Sequence, residues 1–150
     1  MRLSGAAPAV EAAVAKIGGN ALPGNDRGLA FWRSVKEQTQ PFFLTAAQSG
    51  ATLWRLSVKP TTPHTDLGGD QLIEWGGALR WLHANERADA VRVREWARGH
   101  GGHATLWRAG DKSAGVFQPL PESLAALHQR LKRAFDPTGI MNPRRLYPDL

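Results

Sequence analysis

Residues 71–82, which read QLIEWGGALRWL, decide the fold because they predict a β-hairpin at the centre of the chain. Two short apolar segments, 71–75 and 78–82, flank the pair Gly76-Gly77. A glycine pair between two such segments is a strong signal for a tight turn between antiparallel strands. One continuous strand with a glycine bulge is the alternative. Both interpretations place extended structure in the middle of the sequence.

Strands are also predicted on either side of this hairpin. Along residues 52–59, large apolar residues alternate with polar ones, and Pro60 closes the segment. This alternation is typical of a strand with one buried face. Residues 103–108 alternate in the same way, and the short apolar start at residues 2–4 is a further candidate strand. We therefore expect a sheet with one apolar and one more polar face.

Four helices are predicted from apolar residues at helical spacing: residues 8–17, 29–40, 86–99 and 122–135. Pro41 is expected to end the second helix and Asp136-Pro137 the last one. The last helix carries a stripe that is expected to be buried, made of Leu124, Leu127, Leu131 and Phe135. This order of elements predicts an α+β fold, a ferredoxin-like sandwich of a mainly antiparallel sheet with helices packed on one face.

The composition predicts one globular domain. With 150 residues, 42% of them hydrophobic and 21% charged, the chain is large enough to bury a core and is not disordered. No apolar run reaches the length of about eighteen residues that spans a membrane, and the start of the chain lacks the apolar core of a signal peptide. The absence of cysteine excludes disulfides and thiolate catalysis. A cytoplasmic protein is expected.

The net charge of +6 points to an anionic partner, and an acidic neighbouring subunit or domain would explain it. The two densest basic groups fall within predicted helices: Arg92, Arg94 and Arg98; Arg130, Lys132 and Arg133. Solvated helix faces commonly carry such groups, so no nucleic-acid partner is expected. A basic nucleic-acid-binding domain is kept as a third alternative.

Arg55 is the most interesting candidate for a binding role. It lies between Trp54 and Leu56 on the polar face of its strand, where its guanidinium could hold a carboxylate through two parallel hydrogen bonds. A plain surface arginine is the alternative. His103 is a second polar candidate on another strand. His100 and His103 flank two glycines, but no third ligand can be named, so a helix end followed by a strand is preferred and no metal is assigned.

Other templates for catalysis fail. Residues 110–113 end like a phosphate-binding loop but lack the upstream glycine spacing. Ser113 does not lie in a nucleophile elbow, and no G-x-G-x-x-G follows a strand. The sequence therefore leaves the catalytic residues unknown.

The closing segment, residues 135–150, combines several backbone constraints. Asp136-Pro137 stops the last helix, Gly139 offers a position with positive φ, and Asn142-Pro143 makes a second bend. The string F-D-P-x-G-I-x-N-P closely resembles the C-terminal signature of FAD-linked oxidases of the vanillyl-alcohol-oxidase type. The ending R-x-L-Y-P resembles, more narrowly, the FAD-binding subunits of bacterial glycolate oxidases.

Further motifs follow in the order of that family: W-R-L-S at 54–57, I-E-W-G-G-A at 73–78, R-W-L at 80–82, G-G-H-A-T-L at 101–106 and S-A-G-V-F at 113–117. The resemblance implies that residues 1–150 form the C-terminal or cap domain of such a subunit, while the N-terminal FAD-binding domain is absent from this chain. It implies FAD as cofactor of the full-length subunit, not retained by this chain. Asn142 and Arg145 are the positions it carries over as cofactor contacts.

The resemblance further implies a cap or substrate domain of a FAD-dependent 2-hydroxyacid oxidase, inactive alone. In such a domain Arg55 and His103, the two candidates from strand polarity, would be the substrate-binding residues. Its partners would be the FAD-binding domain, the other subunits of a glycolate oxidase and a small 2-hydroxy acid. Any membrane association would come through that complex. A non-catalytic subunit-interaction module of the same complex is the alternative. One departure stands out: Arg144 occupies the position of a family glycine, and it would strain the turn if that position needs positive φ.

Overall fold

The structure is a computed structural model that describes residues 2–20, 25–85, 89–113 and 115–150. These residues fall into two compact units, which meet in sequence between Gln40 and Pro41. The first unit contains helices α1 (Ala7–Ile17) and α2 (Asn25–Lys36). Several of its large apolar side chains are exposed: Val14, Ile17, Leu29, Phe31 and Trp32. The candidate strand at residues 2–4 does not form.

The second unit contains the remaining elements: α3 (Pro41–Ser49), β1 (Thr52–Ser57), β2 (Gly69–Glu74), β3 (Leu79–Ala84), α4 (Ala90–Gly99), β4 (His103–Arg108) and α5 (Glu122–Phe135). The prediction that Pro41 ends a helix over residues 29–40 was wrong, because α2 stops at Lys36 and Pro41 is the first residue of α3. Proline is favourable there, since a first-turn N–H has no partner within the helix. The predicted start of the helix 86–99 lies outside the described residues.

The four strands form one antiparallel sheet in the order β2-β3-β1-β4. This is the ferredoxin-like order, and the predicted α+β fold with an antiparallel sheet is confirmed. Of the two crossovers, α4 forms the one between β3 and β4, whereas an irregular segment, residues 58–68, connects β1 to β2. The predicted central hairpin forms, since β2 and β3 pair antiparallel. Its turn is longer than the predicted glycine pair, because residues 75–78 connect the strands and include a short 3-10 helix, Trp75–Gly77.

One face of the sheet packs against α4 and holds the larger core cluster. Its buried members are Trp54, Leu56, Val58, Leu67, Leu82, Ala84, Val93, Ala97, Ala104 and Leu106. The strand residues in this cluster follow the alternation that the sequence shows, so the predicted apolar face is the buried one. Asp89 caps α4 by accepting a hydrogen bond from the backbone N–H of Arg92 at 2.8 Å.

The same face also buries an arginine. Arg80 is 2% exposed and donates hydrogen bonds to the backbone carbonyls of Thr62, of Pro63 at 2.9 Å and of Gly77 at 3.3 Å. Its guanidinium lies 5.4 Å from the ring centroid of Trp96 in α4. Burial lowers the pKa of Arg80. This side chain therefore links the irregular crossover, the hairpin and α4.

The opposite face receives α3, which the sequence did not predict. Phe43 in α3 packs with Leu53, Leu79 and Trp81 in a second, smaller core cluster. The rings of Phe43 and Trp81 meet edge to face with centroids 5.3 Å apart. The sheet is thus covered on both faces, but α3 leaves part of this second face open.

The free edge of β4 is covered by residues 116–118. The backbone N–H of Leu106 donates to the carbonyl of Val116, and that of Ala104 donates to the side-chain oxygen of Gln118, both at 2.9 Å. The hydroxyl of Tyr147 in turn donates to the Gln118 carbonyl at 3.2 Å. The closing segment is therefore tied to the edge of the sheet through one glutamine.

Helix α5 has the predicted limits, but the prediction that its apolar stripe is buried was wrong. Leu124, Leu127, Leu131 and Phe135 are between 39% and 81% exposed. Periodicity identifies the apolar face of a helix without saying what covers it. Within the described residues, nothing buries this stripe.

Candidate functional site

Arg55 and His103 lie on the face of the sheet that carries α3, on neighbouring strands. Arg55 is directly opposite Thr105, and Ser57 is directly opposite His103. Residues two apart along a strand share a face, so these four side chains form a block of two by two. We call them the polar block. Side chains in diagonal positions have Cα atoms about 7–8 Å apart, so Arg55 and His103 can contact one small ligand.

Aromatic rings border the polar block on one side. Trp81 is directly opposite Arg55 on β3, is 5% exposed, and packs edge to face against Trp107 with centroids 5.4 Å apart. Its Nε1 donates to Glu74 Oε2 at 2.7 Å, which fixes the ring. Trp107 is 47% exposed. The block therefore has an apolar wall and is otherwise open.

The charge distribution of the sheet favours an anion at the polar block. β1 and β4 contain no acidic residue, and the two carboxylates of the sheet, Asp70 and Glu74, lie on β2 at the opposite edge. Arg55 is half-buried. Within the described part of the chain, the ion pairs of Lys36 with Glu37 and of Lys132 with Asp136 do not involve Arg55, and its guanidinium has no carboxylate partner there.

The closing segment is organised by Asp136. Its carboxylate accepts hydrogen bonds from the backbone N–H of Ile140 at 3.1 Å and of Met141 at 2.9 Å, and pairs with Lys132 Nζ at 2.6 Å. Lys132 also donates to the Met141 carbonyl. Asp136 is thus more than the helix stop that the sequence indicated, because it folds residues 136–141 back onto the end of α5.

Asn142 and Arg145, the predicted cofactor contacts, line a cavity of about 650 Å³ beside α5. Its wall also includes apolar side chains of the exposed stripe and the closing segment, namely Leu131, Phe135, Met141, Leu146 and Leu150. Arg55 and His103 do not line it. The structure therefore brings the predicted residues together in two separate pairs, one on the sheet and one beside α5.

Arg144 adopts the conformation that a glycine at this position would favour. Its φ is +59°, and that of Asn142 is +45°. An asparagine tolerates this region better than an arginine does, because its short polar side chain can bond locally. The position therefore has positive φ, and the strain that the sequence suggested is present at Arg144.

The pH dependence of the closing segment follows from Asp136. The hydrogen bond from Lys132, followed by those from the Met141 and Ile140 amides, lowers the pKa of this carboxyl below its ordinary value of 3.8. Because the pKa of Asp136 is lower in the folded chain, the ionised carboxylate stabilises the fold at pH values above 3.8. This stabilisation is lost as the pH falls through the lowered pKa of the folded chain.

We therefore expect the amide resonances of Ile140 and Met141 to shift together as the pH drops below 3.8. An NMR titration measures this, and Asp136→Asn should remove the step. Amide shifts that stay constant through the acid range in the unmodified chain would contradict the assignment.

The pKa of Asp111 is also lowered, by hydrogen bonds from the Ser113 hydroxyl and amide. The amide resonance of Ser113 should therefore report the titration of Asp111 in the same experiment.

Sequence reasoning missed Ser57, Thr105 and Asp136 as members of these sites. The first two become visible only when the register between β1 and β4 is known, which alternation within one strand does not supply. For Asp136 a signal existed, because an aspartate before proline and glycine often accepts hydrogen bonds from the following backbone.

Over residues 2–20, 25–85, 89–113 and 115–150, no group of three or more His, Cys, Asp or Glu side chains could hold a metal ion. None of the helices in these ranges has both the length and the apolar character needed to cross a bilayer.

Comparison with known proteins identifies the class of the α5 region first. Residues 111–146 match the model of the family "FAD linked oxidases, C-terminal domain". This segment contains α5, Asp136, Asn142 and Arg145. Residues 111–146 are therefore similar to the C-terminal domain of FAD-linked oxidases, the family that the closing motif resembles.

The particular relative is "Glycolate oxidase subunit GlcE" of Escherichia coli (strain K12). It is 43% identical over 150 residues, which is 100% of this chain and 39% of the relative. The predicted resemblance to this type of subunit is confirmed. The chain spans about two-fifths of the length of the relative it matches. No solved structure matches it.

Proposed function

We propose that this chain is the cap, or substrate, domain of a FAD-dependent 2-hydroxyacid oxidase subunit of the glycolate oxidase type, and that it is inactive alone. The observation that carries the proposal is Arg55, a half-buried arginine without a carboxylate partner in the described part of the chain, beside His103 on an open sheet face. The similarity to a glycolate oxidase subunit supports it.

The chemistry of this proposal is divided between the chain and the cofactor. FAD, when bound, accepts a hydride from the α-carbon of the substrate. Arg55 holds the substrate carboxylate through two parallel hydrogen bonds, which fixes the orientation of the α-carbon. His103 contacts the polar end of the same substrate. No residue of the chain is assigned as the base.

The cavity beside α5 fits part of a flavin. It combines the polar side chains of Asn142 and Arg145 with the apolar ones of Leu131, Phe135 and Met141, and a flat ring system is bound by such mixed walls. Within the described residues, no glycine-rich turn opens a helix that could bind the pyrophosphate. The chain would therefore contribute contacts to FAD without holding it alone.

The partner of this chain in the proposal is a FAD-binding domain. The exposed stripe of α5 continues into Ile140, Met141 and Leu146, which are between 54% and 77% exposed. Apolar surface of this extent on one element is typical of an interface. Since the matched relative is more than twice as long as the match, its remaining length offers room for the missing domain.

The test is the cofactor content of the purified chain. We expect a colourless protein that binds added FAD weakly and oxidises no glycolate, measured by absorbance and by fluorescence titration. A stoichiometric yellow cofactor that survives purification would show that the chain holds FAD itself and would refute the proposed division of roles.

A second candidate function, a subunit-interaction module that never touches substrate, is favoured by the exposed α5 stripe. Arg55→Ala in the assembled oxidase separates the two. Each charge-assisted hydrogen bond is worth about 1.5–3 kcal/mol, so loss of both should lower turnover about a hundredfold or more with assembly intact. Unchanged turnover would favour the interaction module. Arg98→Ala, at an exposed position of α4, is the matched control.

A further inference from the structure

The two edges of the sheet differ in how they are protected. On β4, the outward backbone N–H groups are covered by residues 116–118. β2 forms the opposite edge, and no segment of the described part of the chain is hydrogen-bonded along its outer side. An open strand edge is a surface on which another chain can pair.

The register identifies the backbone groups that point outward from β2. Asn85, just beyond β3, donates its backbone N–H to the Gly68 carbonyl at 2.9 Å, and the antiparallel pairing continues from there without a bulge. Residues that bond to the neighbouring strand alternate with residues that do not. Every second residue from Asp70 to Glu74 therefore bonds to β3. The others direct their backbone N–H and C=O groups outward: Gly69, Gln71 and Ile73.

The side chains along this edge define which strand it would accept. Asp70 and Glu74 lie four residues apart on the face that carries α3, together with Leu72, and β2 contains no Lys or Arg. Ile73 lies on the other face and is 47% exposed. A carboxylate opposite a basic side chain stabilises a strand pair, and a like charge there destabilises it. The edge therefore favours a segment with basic residues four positions apart and an apolar residue between them.

A second copy of this chain fits the edge less well. Two β2 strands that pair through their outward groups place Asp70 either directly opposite Glu74 of the second copy or diagonally beside its Asp70. Both arrangements bring carboxylates together. The two acidic side chains therefore oppose self-pairing and leave the edge open to a basic partner.

We propose that the outer edge of β2 binds an extended basic segment of another polypeptide, which adds a fifth strand to the sheet. Backbone hydrogen bonds of Gly69, Gln71 and Ile73 supply the affinity, and Asp70 and Glu74 select the charge of the segment. This edge is separate from the polar block and from the cavity beside α5. The proposal therefore goes beyond the proposed function and does not depend on it.

The experiment titrates the full 150-residue chain with two capped peptides, TKVVTKT and TEVVTET, which differ only at the two charged positions. Binding is followed by the amide resonances and the hydrogen exchange of Gly69, Gln71 and Ile73. We expect the lysine peptide to shift these resonances and to slow their exchange. From the strength of opposite-charge cross-strand pairs, it should bind about two- to thirtyfold more tightly than the glutamate peptide.

Two variants separate charge from backbone. Asp70→Lys reverses the charge at an exposed position, so it should weaken the lysine peptide and strengthen the glutamate peptide. Ile73→Pro removes an outward N–H without removing a bond to β3, and should lower the affinity for the lysine peptide about tenfold. Ile73→Thr, which keeps this N–H, is the matched control and should bind the peptide as the unmodified chain does.

Three results would overturn the proposal. Equal affinity for the two peptides would exclude selection of a basic partner. Shifts at β2 that grow with the concentration of the chain alone would show that a second copy occupies the edge. If the lysine peptide at millimolar concentration leaves Gly69, Gln71 and Ile73 unshifted, the edge does not bind an added strand. In each case the proposed function stands, because it is tested through Arg55 and the cofactor content.

Discussion

Replacing Arg80 by alanine is expected to lower the free energy of unfolding of the second unit by about 3 kcal/mol or more. Arg80 is 2% exposed and satisfies the carbonyls of Thr62, Pro63 and Gly77. Removing it leaves the buried Thr62 carbonyl without a donor, at a cost of about 1–3 kcal/mol, and also removes the partly buried hydrogen bonds to Pro63 and Gly77. It also removes the contact with Trp96, worth about 0.5–2 kcal/mol.

Urea denaturation followed by tryptophan fluorescence measures this loss. Arg80→Met separates its causes, since methionine fills much of the same space but donates no hydrogen bond. We expect Arg80→Met to recover only the packing part of the loss. Arg98→Ala, at an exposed position, should change stability by less than about 0.5 kcal/mol. A loss of similar size at Arg98 would refute the role assigned to Arg80.

Gly102→Ala is expected to destabilise the sheet by about 3 kcal/mol through overpacking. A Cβ at Gly102 would lie 1.9 Å from the backbone oxygen of Ser57 and 2.8 Å from its carbonyl carbon. The obstacle is backbone, so β1 and β4 would have to separate. His103, which follows Gly102 in the chain, is paired with Ser57 in the register of β1 and β4. Separation of the strands should therefore also displace the polar block and lower its affinity for carboxylates.

Gly99→Ala is the matched control for this change. Gly99 is the last residue of α4, and nothing lies within 4 Å of a Cβ built there. Alanine in a helix is favoured over glycine by about 0.5–1 kcal/mol, so this variant should be as stable as the unmodified chain or more so. Equal thermal stability of the two alanine variants would contradict the close approach at Gly102.

The strands were predictable because alternation and burial agree. Trp54, Leu56 and Val58 are apolar at every second position and are buried together on one face. The hairpin was predictable because its turn requires glycine. Gly77 has a φ of +105°, and a Cβ there would lie 2.4 Å from the Pro60 carbonyl oxygen. In both cases a pattern within one short segment, alternation of apolar residues or a glycine pair, matches what the folded sheet requires at that place.

Other features depended on contacts that a single segment does not encode. Pro41 can stop one helix or begin another, and only the packing of Phe43 on the sheet favours the second. The burial of Arg80 required the backbone carbonyls of a distant irregular crossover. Phe135 ends an amphipathic stripe whose periodicity is correct, yet it is 81% exposed.

The candidate site was predictable in part. Strand polarity pointed to Arg55 and His103, and the resemblance pointed to Asn142 and Arg145. The polar block needed the β1–β4 register, which contains an irregularity between Leu53 and Trp54 and could not be counted from the sequence. The side chains that a ligand would meet together are therefore known only from the pairing of strands distant in sequence.

The cover on β4 has a consequence for the behaviour of the chain in solution. The edge of β4 carries donors that are paired because Val116 and Gln118 lie along it, and Tyr147 holds Gln118 from the closing segment. An uncovered strand edge is a template for pairing with another chain. Loosening the closing segment would therefore expose a strand edge that can pair with another chain, so the segment that carries Asn142 and Arg145 also protects the protein against aggregation through Tyr147.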